Sequence, residues 1–183
     1  MFEYDKETII RILNIEGFDL NEIDINQIKH VPMHQYRISD KEKSLLLIEN
    51  LQVCIGLYAY GENFAFGAHI NPVVMRENEF ICDENNNILY SNRINDLFKE
   101  IVNSKITEVS IGLSVGFNPV GKTYEVLDLL DKSIYDTIKK LRIIGINVKR
   151  IDLIYNHIFI IDKDNKRIIT PNLENVKESI KIK

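Results

Sequence analysis

Only two of the 183 residues are cysteine, and no long apolar run occurs; the longest, such as residues 44–48 and 158–161, are short. A bilayer-spanning helix needs about 20 consecutive apolar residues, so no transmembrane helix and no membrane insertion is expected. The first residues, MFEYDKETII, carry acids and lack the basic segment, apolar stretch and small-residue cleavage site of a secretory signal, which argues against export by that route. Cys54 and Cys82 could close one disulfide at most. A chain of this size does not need it, so both are read as thiols in a reducing, cytoplasmic setting. The Lys and Arg residues are dispersed and the net charge is −4, so no basic stripe marks a nucleic-acid footprint. Internal repeats and low-complexity segments are absent as well.

What is present suits one globular α+β domain: 45% of residues are hydrophobic and 27% charged, enough for a sizeable core. Residues 5–16 place Ile9, Ile12 and Leu13 at helical spacing between a capping Asp5 and a terminating Gly17. Sequence 18–43 is acidic and amide-rich around Pro32, consistent with a short helix and a loop. Ser91 is expected to cap a helix burying Ile94, Leu97, Phe98, Ile101 and Val102. Residues 106–117 alternate strictly, with Val109, Ile111, Leu113, Val115 and Phe117 on one face and Ser110, Gly112, Ser114 and Gly116 on the other, the pattern of a strand. A long helix over 123–144 follows, with Leu127, Leu130, Ile134, Ile138 and Leu141 on its apolar stripe and Gly145 behind it. Runs 150–162 and 167–170 around Lys163-Asp164-Asn165-Lys166 read as a closing hairpin, followed by a Lys-rich tail.

Chemistry enters with the apolar runs 44–60 and 64–70, which flank Gly61-Glu62, a pair suited to a two-residue type II′ turn. Counting outward from that turn pairs Cys54 directly with His69. Opposed residues share a face with Cβ atoms roughly 4.5–5.5 Å apart, so sulfur and imidazole are expected to meet. A histidine that takes the thiol proton generates a nucleophilic thiolate. Gly56 and Gly67 on the same face are expected to leave room for a substrate group. The alternative is a small core cysteine beside a hydrogen-bonded histidine.

The segment Val53 to Pro72, VCIGLYAYGENFAFGAHINP, resembles the core of the CheD family of chemoreceptor glutamine deamidases, in which a cysteine begins a strand and a G-x-H-x-x-P-like segment returns the histidine. The order of elements afterwards is similar too, and the resemblance covers roughly residues 44–172. It implies a fold shared with the cytotoxic necrotizing factor toxins: mixed β-sheets packed as a sandwich with helices outside. On this reading residues 1–43 form an amino-terminal helical extension, 44–172 the CheD-like domain and 173–183 a tail. The implied activity is hydrolysis of a protein glutamine side chain by a Cys54 nucleophile and a His69 base, without a cofactor, on a protein substrate or partner such as a signalling protein or chemoreceptor. The family's Gly-Ser pair and Thr before the cysteine are replaced here by ENLQVC and Ile48, and its third strand and final hairpin by SIGLSVGF and LIYNHIFI. Asn50 or Gln52 is then the expected residue to orient the imidazole, as an amide does in papain-like sites. A catalytically lapsed binding module on the same fold is the alternative that these replacements suggest.

Four other features compete. GFNPVGKT, Gly116 to Thr123, matches a phosphate loop, with Lys122 on phosphates, Thr123 on Mg²⁺ and Asp162 as a metal-side acid. Too few βα units follow it, however, and Pro119 removes an amide donor, so a turn leading into a helix is the favoured reading. His30 and His34 have metal-ligand spacing but flank Pro32 without a third ligand nearby, which favours a loop. His157 is expected within a sheet, and Cys82 beside a polar loop.

Overall fold

The computed structural model describes residues 4–51, 54–70, 75–76, 79–80, 92–114, 134–154 and 157–171. Helix α1 (Lys6–Glu16) starts where Asp5 accepts from the Thr8 N–H at 2.8 Å. It stops at Gly17, whose φ of 84° lets the N–H groups of Gly17 and Phe18 return to the carbonyls of Asn14 and Leu13. Both ends lie where the local sequence placed them.

Two sheets face each other. The first has the order β1 (Ile28–His30), β3 (Leu45–Ile48), β10 (Phe159–Asp162) and β11 (Arg167–Ile169). In the second the order is β2 (Gln35–Ile38), β5 (Ala65–Ile70), β4 (Ile55–Tyr60), β8 (Glu108–Ser114) and β9 (Asn147–Ile154). A two-stranded ribbon, β6 (Met75–Arg76) and β7 (Glu79–Phe80), follows β5 in the chain. Leu46, Ile48, Phe159 and Ile161 meet Tyr58, Ala65 and Ile154 between the sheets. On the outer face of the first sheet, Ile9 and Leu13 of α1 pack against Leu45, Leu47 and Ile160. Helix α2 (Asn92–Asn103) and α3 (residues 134–143) cover the second sheet through Phe98, Ile101 and Leu141. The chain is therefore a mixed α+β fold with two β-sheets and helices packed outside them. Among the described residues, no helix is long and apolar enough to cross a membrane.

Several boundaries differ from the sequence reading. The run 44–60 is not one arm of a hairpin: β3 lies in the first sheet and β4 in the second. Run 150–162 divides in the same way, into β9 and β10. Strands covered on both faces are apolar throughout, so such a run does not reveal where the chain leaves one sheet for the other. Residues 1–43 supply α1 and also a strand to each sheet, with β1 parallel to β3 and β2 antiparallel to β5. Val102, expected on the buried face of α2, is 47% exposed. The Ser91 cap, Val115, Phe117, Leu127, Leu130 and the 173–183 tail lie outside the described residues.

The closing hairpin does form, pairing Asp162 with Arg167. Asp162 is buried, and its carboxylate accepts from the Asp164 and Asn165 backbone N–H groups, the Asn165 amide and Arg167 Nε. Those contacts occupy it as a turn cap, so the metal-side role suggested beside the phosphate-loop pattern is not available to it; Gly116 to Thr123 lie outside the described residues.

Helix α3 ends at Gly145 (φ 84°), where Ile146 N–H reaches the Leu141 carbonyl at 2.9 Å. Helix α2 closes the same way, but Lys105 occupies the left-handed position, with φ 55° and Ile106 N–H donating to the Ile101 carbonyl at 3.3 Å. A Cβ in that conformation is strained, and glycine relieves it while losing more backbone entropy on folding. Lys105→Gly is expected to raise the unfolding free energy by up to about 1 kcal/mol, read as a higher urea midpoint at unchanged slope.

Candidate functional site

One end of the sandwich collects the chemistry, because the chain crosses from the first sheet to the second there twice. The first crossing joins β1 to β2 through Val31-Pro32-Met33-His34, where Gln35 N–H donates to the Pro32 carbonyl at 3.1 Å and His34 adopts φ 61°. The second joins β3 to β4 through Glu49 and Asn50, with Asn50 at φ 62°. Asn and His tolerate the left-handed region better than branched residues do. The chain returns at the same end from β9 to β10, where Leu51 N–H donates to the His157 carbonyl at 2.8 Å.

His69 lies on β5 between Gly56 of β4 and Gln35 of β2, and its carbonyl accepts from the His34 N–H at 2.7 Å. The β4–β5 turn has four residues: Gly61 N–H donates to the Phe64 carbonyl at 2.9 Å, and Gly61 does not take the positive φ that a type II′ turn requires. Tyr60 consequently pairs with Ala65, and His69 with Gly56 rather than with Cys54. Cys54 stands just before β4, two positions along. An even shift keeps the face, and Cys54 packs between the sheets with Leu51, Tyr58 and Phe159. The pair is thus diagonal, a spacing of roughly 7–8 Å that a long side chain can bridge.

The glycines do not leave an open pocket. A Cβ on Gly56 would stand 2.7 Å from the Phe159 ring, and one on Gly67 2.7 Å from Ile161 Cδ1. Both positions are occupied by side chains of the opposite sheet, and the expected room for a substrate group is filled. Cys54 is only 5% exposed.

Around His69 is a polar group that its sequence neighbours do not indicate. His69 is 3% exposed and donates to the backbone carbonyl of Val31, while its Nε2 has no partner among the described residues. The donating nitrogen is therefore Nδ1, which leaves a lone pair on Nε2. Burial pushes the imidazole down to about 4, with His34 and His30 adding repulsion and Glu49 and the Val31 carbonyl opposing it. His69 is neutral over the physiological range. Glu49 Oε1 lies 3.6 Å from His30 Nε2 and accepts from the Tyr4 hydroxyl at 2.7 Å. The His30 bond holds the Glu49 carboxyl below the usual range against the opposing effect of burial, with Tyr4, His30 and His69 contributing. Tyr4, stacked on His30 at 4.1 Å, is pushed up to about 12 chiefly by its bond to Glu49.

Of the residues expected to orient the imidazole, Asn50 is an exposed turn residue and Gln52 lies outside the described residues. The Val31 carbonyl is the group that holds His69, and Glu49 is the carboxylate that acts on it electrostatically. A backbone carbonyl carries no residue-type signal, and Glu49 differs from other acids only by its place at the end of β3. Of the two residues expected in a loop, His34 lies in the β1–β2 connection, whereas His30 is the last residue of β1 and pairs with Leu47; both act on His69 electrostatically. Among the described residues, no group of three or more His, Cys, Asp or Glu side chains is arranged to hold a metal ion. His157 is in the β9–β10 connection rather than in a sheet, half-buried, with Nε2 3.4 Å from Glu16 Oε1. Cys82 lies outside the described residues.

No protein-family model matches this chain, and no curated protein matches it.

Proposed function

We propose that the chain is a cysteine amidohydrolase that deamidates a protein glutamine side chain, with Cys54 as nucleophile and His69 as base, and that its sandwich is a CheD-like one. The observation that supports this most is the neutral, buried His69, tethered through Nδ1 to Val31, with an Nε2 lone pair that has no partner among the described residues, on the sheet face that also carries Cys54. Nε2 accepts the thiol proton and the thiolate attacks the side-chain carbonyl. Collapse of the tetrahedral adduct breaks the C–N bond, and ammonia leaves with the proton from the imidazolium. Water, deprotonated by the same imidazole, then cleaves the thioester to release glutamate and restore the thiol. Backbone amides have to hold the oxyanion in both steps.

A second reading, a binding module without catalysis on the same fold, is favoured by the sealing of Cys54 and Gly56 under Leu51 and Phe159. Iodoacetamide modification of Cys54 against pH, in a Cys82→Ser background, separates the two. The hydrolase reading expects a reactive Cys54 with an apparent pKa below the ordinary thiol value of about 8.5, an effect lost in His69→Ala, with ammonia released from glutamine-bearing protein substrates such as chemoreceptors. A protected Cys54, or one whose titration ignores His69, overturns it and leaves the binding module.

A further inference from the structure

A recess of 280 Å³ opens beside α1 and β1. Its walls are of two kinds. Ile9 and Ile28 provide apolar surface, and Lys6, Lys29, Lys43 and His30 provide cationic or imidazole nitrogen; among the described residues no carboxylate side chain lines it. Lys6 Nζ donates to Asn26 Oδ1 at 2.9 Å, and Lys43 Nζ donates to the backbone carbonyl of the same Asn26 at 2.6 Å. Two ammonium groups are therefore held on one residue. Neither has a carboxylate within 4.0 Å among the described residues, whereas Lys29 pairs with Asp40 at 3.5 Å. The His30 side chain is 8% exposed, with Nε2 facing Glu49 and Nδ1 without a hydrogen-bond partner among the described residues.

Asp24 binds the Asn26 N–H groups and Glu49 faces His30, and neither pairs with Lys6 or Lys43. These two ammonium groups bond to one residue and neither has a carboxylate within 4.0 Å among the described residues, so their mutual repulsion favours an anion between them. Each uses one of its three N–H donors on Asn26. The remaining donors suit a group with several strong acceptor oxygens and nearly two negative charges. We propose that this recess binds a phosphate monoester of a small organic group, with the phosphate between Lys6 and Lys43 beside His30 and the organic part against Ile9 and Ile28. The assignment does not depend on the hydrolase reading.

Isothermal titration of the full chain with phenyl phosphate and with inorganic phosphate, at ionic strength held constant with NaCl, tests it. Both ligands are expected to bind, phenyl phosphate the tighter. Lys6→Gln/Lys43→Gln is expected to weaken binding at least tenfold, roughly the loss of one charge-assisted hydrogen bond, and Lys149→Gln, in a separate basic recess, to leave it unchanged. No binding heat for either ligand, or equal affinity in the double variant, overturns the site. Inorganic phosphate binding as tightly as phenyl phosphate overturns the ester.

Discussion

Phe159→Ala is expected to cost about 3–5 kcal/mol of unfolding free energy, near the upper end for a single core truncation. Phe159 is fully buried between the sheets, and its ring lies over the Gly56–Gly112 pair of β4 and β8. A Cβ on either glycine would approach the ring to 2.7 or 3.0 Å. The ring also meets Tyr58 edge-on, with centroids 6.1 Å apart. Its removal leaves a void bounded by backbone, which cannot collapse as side chains do. The converse substitution, Gly56→Ala, is expected to cost about 1–3 kcal/mol by overpacking. The two effects are coupled. In Gly56→Ala/Phe159→Leu the colliding ring is gone, so the double variant should be more stable than the sum of the single variants Gly56→Ala and Phe159→Leu predicts. Urea unfolding at constant slope measures all four corners. Strict additivity would show that the ring and Gly56 do not share this contact.

Acidification from pH 6.5 to 4 is expected to remove about 3 kcal/mol of stability through His69 alone. The imidazole titrates near 6.5 in the unfolded chain and at about 4 in the folded one. In that window the unfolded state binds the extra proton, so stability is complete above 6.5 and declines as pH falls through 4. Glu49, whose folded carboxyl is depressed, contributes a loss of the same sign at lower pH, and His30, His34 and Tyr4 face the same region. The quantity to measure is therefore the difference between wild type and His69→Gln, which removes this titration and leaves the others in place. A difference that is flat between pH 6.5 and 4 would mean that His69 is not held neutral by burial. It would also remove the main support for His69 as a base.

The slip in the β4–β5 register shows how local and distant information divide at the site. A two-residue turn and a four-residue turn differ by an even number, so Cys54 and His69 stay on one face although they are no longer directly opposed. Alternation specified the face; the turn geometry, set by the Gly61–Phe64 contact, specified the partner. The glycine-rich face of β8 was equally visible in the alternation of Ser110 and Gly112. That the bare surface accommodates Phe159 and Ile154 instead of a ligand depends on a strand about 45 residues away.

By itself the sequence determined what short-range chemistry controls. The ends of α1, the Gly145 stop of α3, the alternating faces of β8 and the closing hairpin depend on caps, left-handed glycines and periods that operate within a few residues. Tertiary structure alone decided where an apolar run passes from one sheet to the other, since strands buried on both faces carry no period to mark the crossing. It also decided the company His69 keeps. Tyr4, His30, Val31, His34 and Glu49 come from three separate segments, and only the packing of two sheets brings their crossings to one end.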